Sequence, residues 1–132
     1  MRYMLDTNIC IFMMKYVPQV IKSFEANKSD GIAISTIVLS ELEHGVAKSQ
    51  FPDKSRNTLV KFLSNVIVLD FDSTAAGEYG KICADLFKKG LPIGTMDMLI
   101  GAHAKSAGLP LVTNNIREFS RIDKLNIEDW SN

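Results

Sequence analysis

Two cysteines, two histidines and one tryptophan in 132 residues leave little material for several common chemistries. Cys10 and Cys83 each sit in an apolar, helix-like stretch and read as buried free thiols, not as a disulfide framework. No Cys/His spacing resembles a zinc site. His44 and His103 do not stand at metal-ligand spacing, and an acid–base pair built from them would need the two to converge. His103 reads as a packing or interface residue. No serine or cysteine triad pattern supports a nucleophile. Long apolar runs are also missing: none approaches the ~18 residues of a membrane span. The opening apolar run is short and ends in an acid, unlike a signal peptide. A soluble, cytoplasmic protein without membrane contact is expected. Lys+Arg and Asp+Glu both number 15, so there is no basic excess. A nucleic-acid ligand would then require clustered basic residues.

What is present suits one globular domain spanning 1–132. Hydrophobic residues make up 46% and charged residues 23%, ordinary values that argue against disorder. A chain of this size can fold without a disulfide or structural metal. There is no repeat, low-complexity segment or linker. Apolar bursts alternate with helical patterns. Tyr3-Met4-Leu5 predicts a short buried strand, followed by a helix from about Asn8 to Lys15. Pro18 suits a first helical position, with Val20, Ile21 and Phe24 as the stripe. Gly31 to Ser35 reads as a second strand, after which Ser35 or Thr36 caps a helix to about Lys48. Pro52 opens a helix with Leu59, Phe62 and Leu63 facing in. Val66 to Leu69 is the clearest strand. Asp72 or Ser73 caps the next helix, whose stripe is Ala76, Tyr79, Ile82, Cys83 and Leu86. Gly94-Thr95 leads into a helix from about Met96 to Ala107, with Gly94 allowing a sharp turn. Leu109 to Val112 forms a fourth strand, and Ile127 belongs to a short fifth. Strands separated by helices imply an α/β fold with a parallel sheet covered on both faces, and ligands in such sheets bind beyond the carboxyl ends of the strands.

Three acids fall where that crevice would be. Asp6 follows the first strand, where it either projects into the crevice or caps the next helix. Glu41 lies among Ile37, Val38, Leu42 and Val46, beside an apolar stripe. It either pairs with a cation there or snorkels to water. Glu43 lies about 200° further round the helix and should be solvated. Asp97 sits in the first turn of its helix, a position that also favours acids for the helix dipole alone. Gathered at one point, such carboxylates repel, and a hard cation between them removes the cost. Oxygen donors without His or Cys select Mg²⁺ or Mn²⁺.

The motifs around these acids are similar to those of a known family. Met4-Leu5-Asp6-Thr7-Asn8-Ile9 resembles the opening of PIN domains. Ser35 to Leu42, with Gly45 after it, resembles their second motif, and Leu91-Pro92-Ile93-Gly94-Thr95-Met96-Asp97 the third. Val112-Thr113-Asn114-Asn115, followed by Glu118-Phe119, resembles the fourth. The four occur in order and span almost the whole chain. Within the family the chain looks like a VapC-type toxin of the enteric and plasmid-borne branch. The resemblance implies a three-layer α/β/α sandwich with a central, mostly parallel sheet in the order 3-2-1-4-5. It places Asp6 and the Thr113–Asn115 turn at the switch point, and moves Asp70 and Asp72 away from it, into capping roles. Many PIN domains carry Asp where this chain has Asn115, so the site loses one charge.

The implied activity is Mg²⁺-dependent hydrolysis of an RNA phosphodiester, with Mn²⁺ as the other candidate metal, leaving 5′-phosphate and 3′-hydroxyl ends. Initiator tRNA, cut in its anticodon stem-loop, is the implied substrate. Asp6, Glu41 and Asp97 are the expected catalytic residues and metal ligands, with Asn8, Thr113, Asn115 and Glu118 as secondary candidates. Thr7 is a further candidate for the fourth role. Lys15, Lys48 and Arg117 are candidates for phosphate contact, as are Lys88, Lys89 and Arg121; each also reads as an ordinary solvated charge. Phe51 could stack on a base, whereas Phe119 fits the core better. The resemblance further implies a homodimer, a VapB-type antitoxin, and operator DNA bound only through the antitoxin complex. Helices at Pro18–Asn27 and Pro52–Leu63 could offer the antitoxin an apolar groove. Receiver-like and dehalogenase-type phosphotransfer domains also place acids at strand ends, but Asp6-Thr7-Asn8 lacks their paired acids. A PIN-fold binding module with weak or no catalysis is the alternative that Asn115 keeps open.

Overall fold

A computed structural model describes residues 2–132. Five short strands form one sheet: β1 (Tyr3–Leu5), β2 (Ile32–Ser35), β3 (Ile67–Leu69), β4 (Leu111–Val112) and β5 (Ile127–Glu128). Their order is β3-β2-β1-β4-β5, and all four pairings are parallel. Seven helices connect them: α1 (Thr7–Met14), α2 (Pro18–Asn27), α3 (Thr36–Ala47), α4 (Pro52–Leu63), α5 (Ser73–Lys88), α6 (Thr95–Ser106) and α7 (Ile116–Phe119). Every residue of β1 and β2 is buried, although successive side chains point to opposite faces. Both faces of the sheet are therefore covered, which makes three layers.

Local chemistry explains most element ends. Asp6 caps α1 by accepting from the Thr7 N–H, so the helix starts at Thr7, one residue before the sequence expectation. Pro18 and Pro52 occupy first helical positions, where a missing N–H costs nothing. Ser35 caps α3 through Ile37 N–H, and Asp72 caps α5 through Ala75 N–H. The hydrogen bonds found include no cap by Asp70, which is exposed. β4 is shorter than expected because Pro110 contributes only its carbonyl, which accepts from Met4 N–H.

β3 lies at the sheet edge, as the expected order requires, with Ile67 47% and Val68 37% exposed. Three further expectations need correction. The buried alanine of α5 is Ala75, not Ala76, which is exposed. Cys83 is half-buried rather than buried, and so is Leu63. Gly94 makes no sharp turn: φ −58° and ψ 147° are open to any residue. The sequence reading also missed α7, which at four residues is too short to show a periodic stripe. Phe119 packs in the core, whereas Phe51 is exposed. No helix among the described residues is long and apolar enough to cross a membrane.

Candidate active site

The switch point in strand order lies between β1 and β4, whose chain connections run in opposite directions from the sheet centre. Asp6 stands there. Its N–H donates to Val112 O at 2.8 Å, extending the β1–β4 ladder by one residue. Its side chain is buried and does two jobs at once. Oδ1 accepts from Thr7 N–H at 2.8 Å, and Oδ2 accepts from the Thr113 hydroxyl at 2.7 Å. Both readings offered for Asp6, cap and crevice carboxylate, therefore hold together.

Glu41 reaches the same point from α3. Its Oε1 accepts from the Thr7 hydroxyl at 2.6 Å. Asp97 arrives from the first turn of α6, and its Oδ2 accepts from Asn115 Nδ2 at 3.1 Å. Thr113 Oγ1 also accepts from Asn115 N–H at 3.0 Å. Asp6, Thr113, Asn115 and Asp97 thus form one hydrogen-bonded chain across the crevice. Of the other secondary candidates, Asn8 donates to Asn114 Oδ1 at 3.2 Å on the exposed rim, and half-buried Glu118 adds negative charge near Asp97.

The electrostatics record the crowding. Burial first, and then the charges of Asp6, Glu41 and Glu118, push Asp97 up to about 6, against a lowering by the Asn115 amide. Burial raises Asp6 too, with a further push from Glu41, while its bonds from Thr113 and Thr7 oppose the rise. Among the described residues, no three His, Cys, Asp or Glu groups are drawn together as a metal-binding cluster. Each carboxylate instead rests on a neutral donor. The donor set is all oxygen, and the like-charge cost is one that a hard divalent cation removes. The residues therefore fit Mg²⁺ or Mn²⁺ in kind and charge. Asp6, Glu41 and Asp97 would hold it.

The basic candidates separate. Exposed Lys15 lines a cleft of about 390 Å³ that Glu41 also lines, but it closes the end of α1 opposite to Asp6. Lys54 lines the same cleft and was not anticipated, because its position two residues into α4 gives no local signal. Lys48 is exposed at the far end of α3, and Arg117 is exposed on α7. Lys89 pairs with Asp85, and Arg121 donates to Pro92 O at 3.1 Å, tying down the loop before Asp97. Buried His103 is a packing residue, with Nδ1 2.7 Å from Ser35 Oγ and its ring edge-on to Phe71. Glu43 is in a surface ion pair with Arg56.

A parallel sheet in this order, with Asp6 just after β1, Glu41 on α3 and Asp97 on α6 linked by hydrogen bonds at its switch point, defines a class. The PIN domain model matches residues 3–125, and the chain belongs to that family. Within it the chain falls among the VapC proteins. It is 44% identical over 132 residues to the tRNA(fMet)-specific endonuclease VapC of Shigella flexneri, covering 99% of each chain. It is 46% identical to the protein of that name from Salmonella typhimurium, covering 98% of each. Among solved structures, it is similar to VapBC2 from Rickettsia felis bound to a DNA fragment from its promoter. The TM-score is 0.94 at 42% identity, covering 98% of this chain and 99% of that one.

Proposed function

We propose that this protein is the toxin of a VapBC toxin–antitoxin pair, an endoribonuclease that cuts initiator tRNA in the anticodon stem-loop and so stops translation. The observation that carries the reading is the hydrogen-bonded network at the strand-order switch point, which links Asp6 to Glu41 through Thr7 and to Asp97 through Thr113 and Asn115. Full-length similarity to two endonucleases named for tRNA(fMet) supports the substrate. A bound Mg²⁺ or Mn²⁺ would supply a water of lowered pKa and screen the phosphate's charge. Asp6 and Asp97 would supply the negative charge that holds it, and Glu41 would orient the attacking water or serve as a further ligand. Water, not the ribose 2′-OH, attacks, which leaves a 5′-phosphate and a 3′-hydroxyl. Lys15 and Lys54 offer phosphate contacts beside Glu41. The place of work is the cytoplasm.

The partners follow from the same reading. A VapB-type antitoxin occupies the apolar clefts along α4. One, about 480 Å³, is lined by Met13, Tyr16, Ile21, Phe24 and Phe62. The protein acts as a homodimer, and operator DNA is bound only through the antitoxin complex, in keeping with the DNA-bound Rickettsia felis assembly. The test is incubation of antitoxin-free protein with total tRNA, with Mg²⁺, Mn²⁺ or chelator, beside Asp6→Asn. Discrete cleavage that needs both metal and Asp6 is expected. No cleavage with either metal, or cleavage that survives chelator and substitution, would put a binding module in its place.

A further inference from the structure

Among the described residues, Thr7 is the one whose hydrogen bonds reach the carboxylates of two of the three acids. Its N–H donates to Asp6 Oδ1 at 2.8 Å and its hydroxyl donates to Glu41 Oε1 at 2.6 Å. The two bonds differ in kind. The first is the backbone cap of α1, and any residue but proline could supply it. The second needs a side-chain hydroxyl at this position. It is short and charge-assisted, and it spans 34 residues of chain between α1 and α3.

Glu41 has reason to move without that bond. It is half-buried beside the open cleft along α4, and no other hydrogen bond to its carboxylate is found among the described residues. Asp6 and Asp97 both feel its charge, so repulsion drives it outward toward water. A glutamate has three side-chain torsions with which to leave. The Thr7 hydroxyl opposes the repulsion, and because it has only one proton, it fixes one oxygen and leaves Oε2 free.

We infer that Thr7 is a positioning residue for the proposed metal site: its hydroxyl holds Glu41 against the repulsion of Asp6 and Asp97, with Oε1 committed and Oε2 presented to the cation or its water. This rests on the nuclease reading of the site. Thr7 itself touches neither metal nor RNA. The same logic separates it from Thr113, whose hydroxyl holds Asp6, a side chain already fixed by burial and by its cap.

The test is a cycle on Mn²⁺ affinity, read from free Mn²⁺ by electron paramagnetic resonance, with tRNA cleavage alongside. Thr7→Val keeps the shape and the cap but removes the hydroxyl. It should weaken Mn²⁺ binding by roughly tenfold or more, the usual effect of removing a group that orients a ligand. Thr7→Ser restores a hydroxyl and should bind within about threefold of the parent. On a Glu41→Gln background, Thr7→Val should cost almost nothing further, because the charge it restrains is gone. Thermal melts of the parent and the four variants report folding. Full Mn²⁺ affinity in a folded Thr7→Val protein would overturn the inference. So would an equal loss in Thr7→Ser, or an undiminished loss on the Glu41→Gln background, which would make Thr7 a direct ligand. A parent protein that neither binds Mn²⁺ nor cuts RNA would instead overturn the nuclease reading on which it rests.

Discussion

The crevice at the strand-order switch point and the clefts along α4 are neighbours, one of the clefts sharing Glu41 with the crevice, yet they are built on opposite principles. The crevice concentrates charge. Three carboxylates from β1, α3 and α6 meet there, and a network of threonine and asparagine donors keeps them in place. The clefts spread apolar surface over Ile11, Met14, Leu42 and Phe51 on one side of α4, and Met13, Tyr16 and Phe24 on the other. One arrangement performs chemistry, because few atoms must be placed closely. The other suits docking, because many weak contacts are summed over an area. Mutations should therefore act differently in the two regions: a single atom matters in the first, and only whole side chains matter in the second.

The largest expected effect comes from one oxygen in the crevice. Asp6→Asn preserves size and can still cap α1, but it removes a charge and turns one acceptor into a donor facing Thr113. Cleavage of tRNA should fall roughly a hundred- to a thousandfold, with the melting temperature little changed. Comparable turnover in Asp6→Asn and the parent would remove the distinction between the regions.

In the clefts, Tyr16→Ala removes an exposed ring at the end of α1. Catalysis should be unaffected. Affinity for the antitoxin should drop about tenfold or more, as for an aromatic anchor at an interface. Titrating the antitoxin against tRNA cleavage measures both at once. Reduced cleavage with an unchanged inhibition midpoint would mean that this cleft serves the RNA.

The third effect is smaller and concerns pH. Asp97 is pushed up to about 6 in the folded protein, above the ordinary carboxylate value near 4. A raised carboxyl binds its proton better when folded, so it adds stability below about 4 that is lost as pH rises through about 6. The metal-free protein should therefore lose stability over that window, and Asp97→Asn should reduce the slope, leaving the part that the raised Asp6 carboxyl contributes. At neutral pH the substitution should stabilise the metal-free protein by about 1 kcal/mol, after discounting for the exposure of a half-buried group. Mn²⁺ affinity in the parent should fall as pH drops below 6, by up to about tenfold per unit, since proton and cation compete for one carboxylate. Denaturant melts at pH 4, 5, 6 and 7 check the first statement. A flat stability profile in the parent would mean that Asp97 is not crowded.

The two regions also differed in how much their sequence disclosed. The strand order and the positions of Asp6, Glu41 and Asp97 came through four motifs, each tied to the end of an element. The donors were harder to read. Thr7, Thr113 and Asn115 are short polar residues common in any turn, and nothing local says which carboxylate each will meet. The apolar groove expected between the helices at Pro18–Asn27 and Pro52–Leu63 is there, but Lys54 and the second cleft were invisible: that cleft arises where α1, α3 and α4 pack, and helix packing is set by long-range contacts. β3 shows the division of labour: Val66 to Leu69 was legible as a strand from its apolar run, while its edge position, with Ile67 and Val68 partly exposed, came only from the strand order that the motifs implied. Ala75 displaced Ala76 because Asp72 caps α5 and so fixes which face turns inward.

The smallest expected effect is a zero, and it separates position from composition. Glu41 and Glu43 are two residues apart on α3, so they face nearly opposite ways. Glu41 faces the crevice, bonded to Thr7, whereas Glu43 makes an exposed ion pair with Arg56 at 2.6 and 2.8 Å. Arg56 holds the Glu43 carboxyl below its ordinary value, the reverse of what neighbouring acids do to Asp97. Solvent screens such a pair, so Glu43→Gln should leave both tRNA cleavage and the thermal melt unchanged, while Glu41→Gln abolishes cleavage. If Glu43→Gln also lowered turnover, negative charge on α3 in general, rather than the one carboxylate aimed at the switch point, would be what the reaction needs.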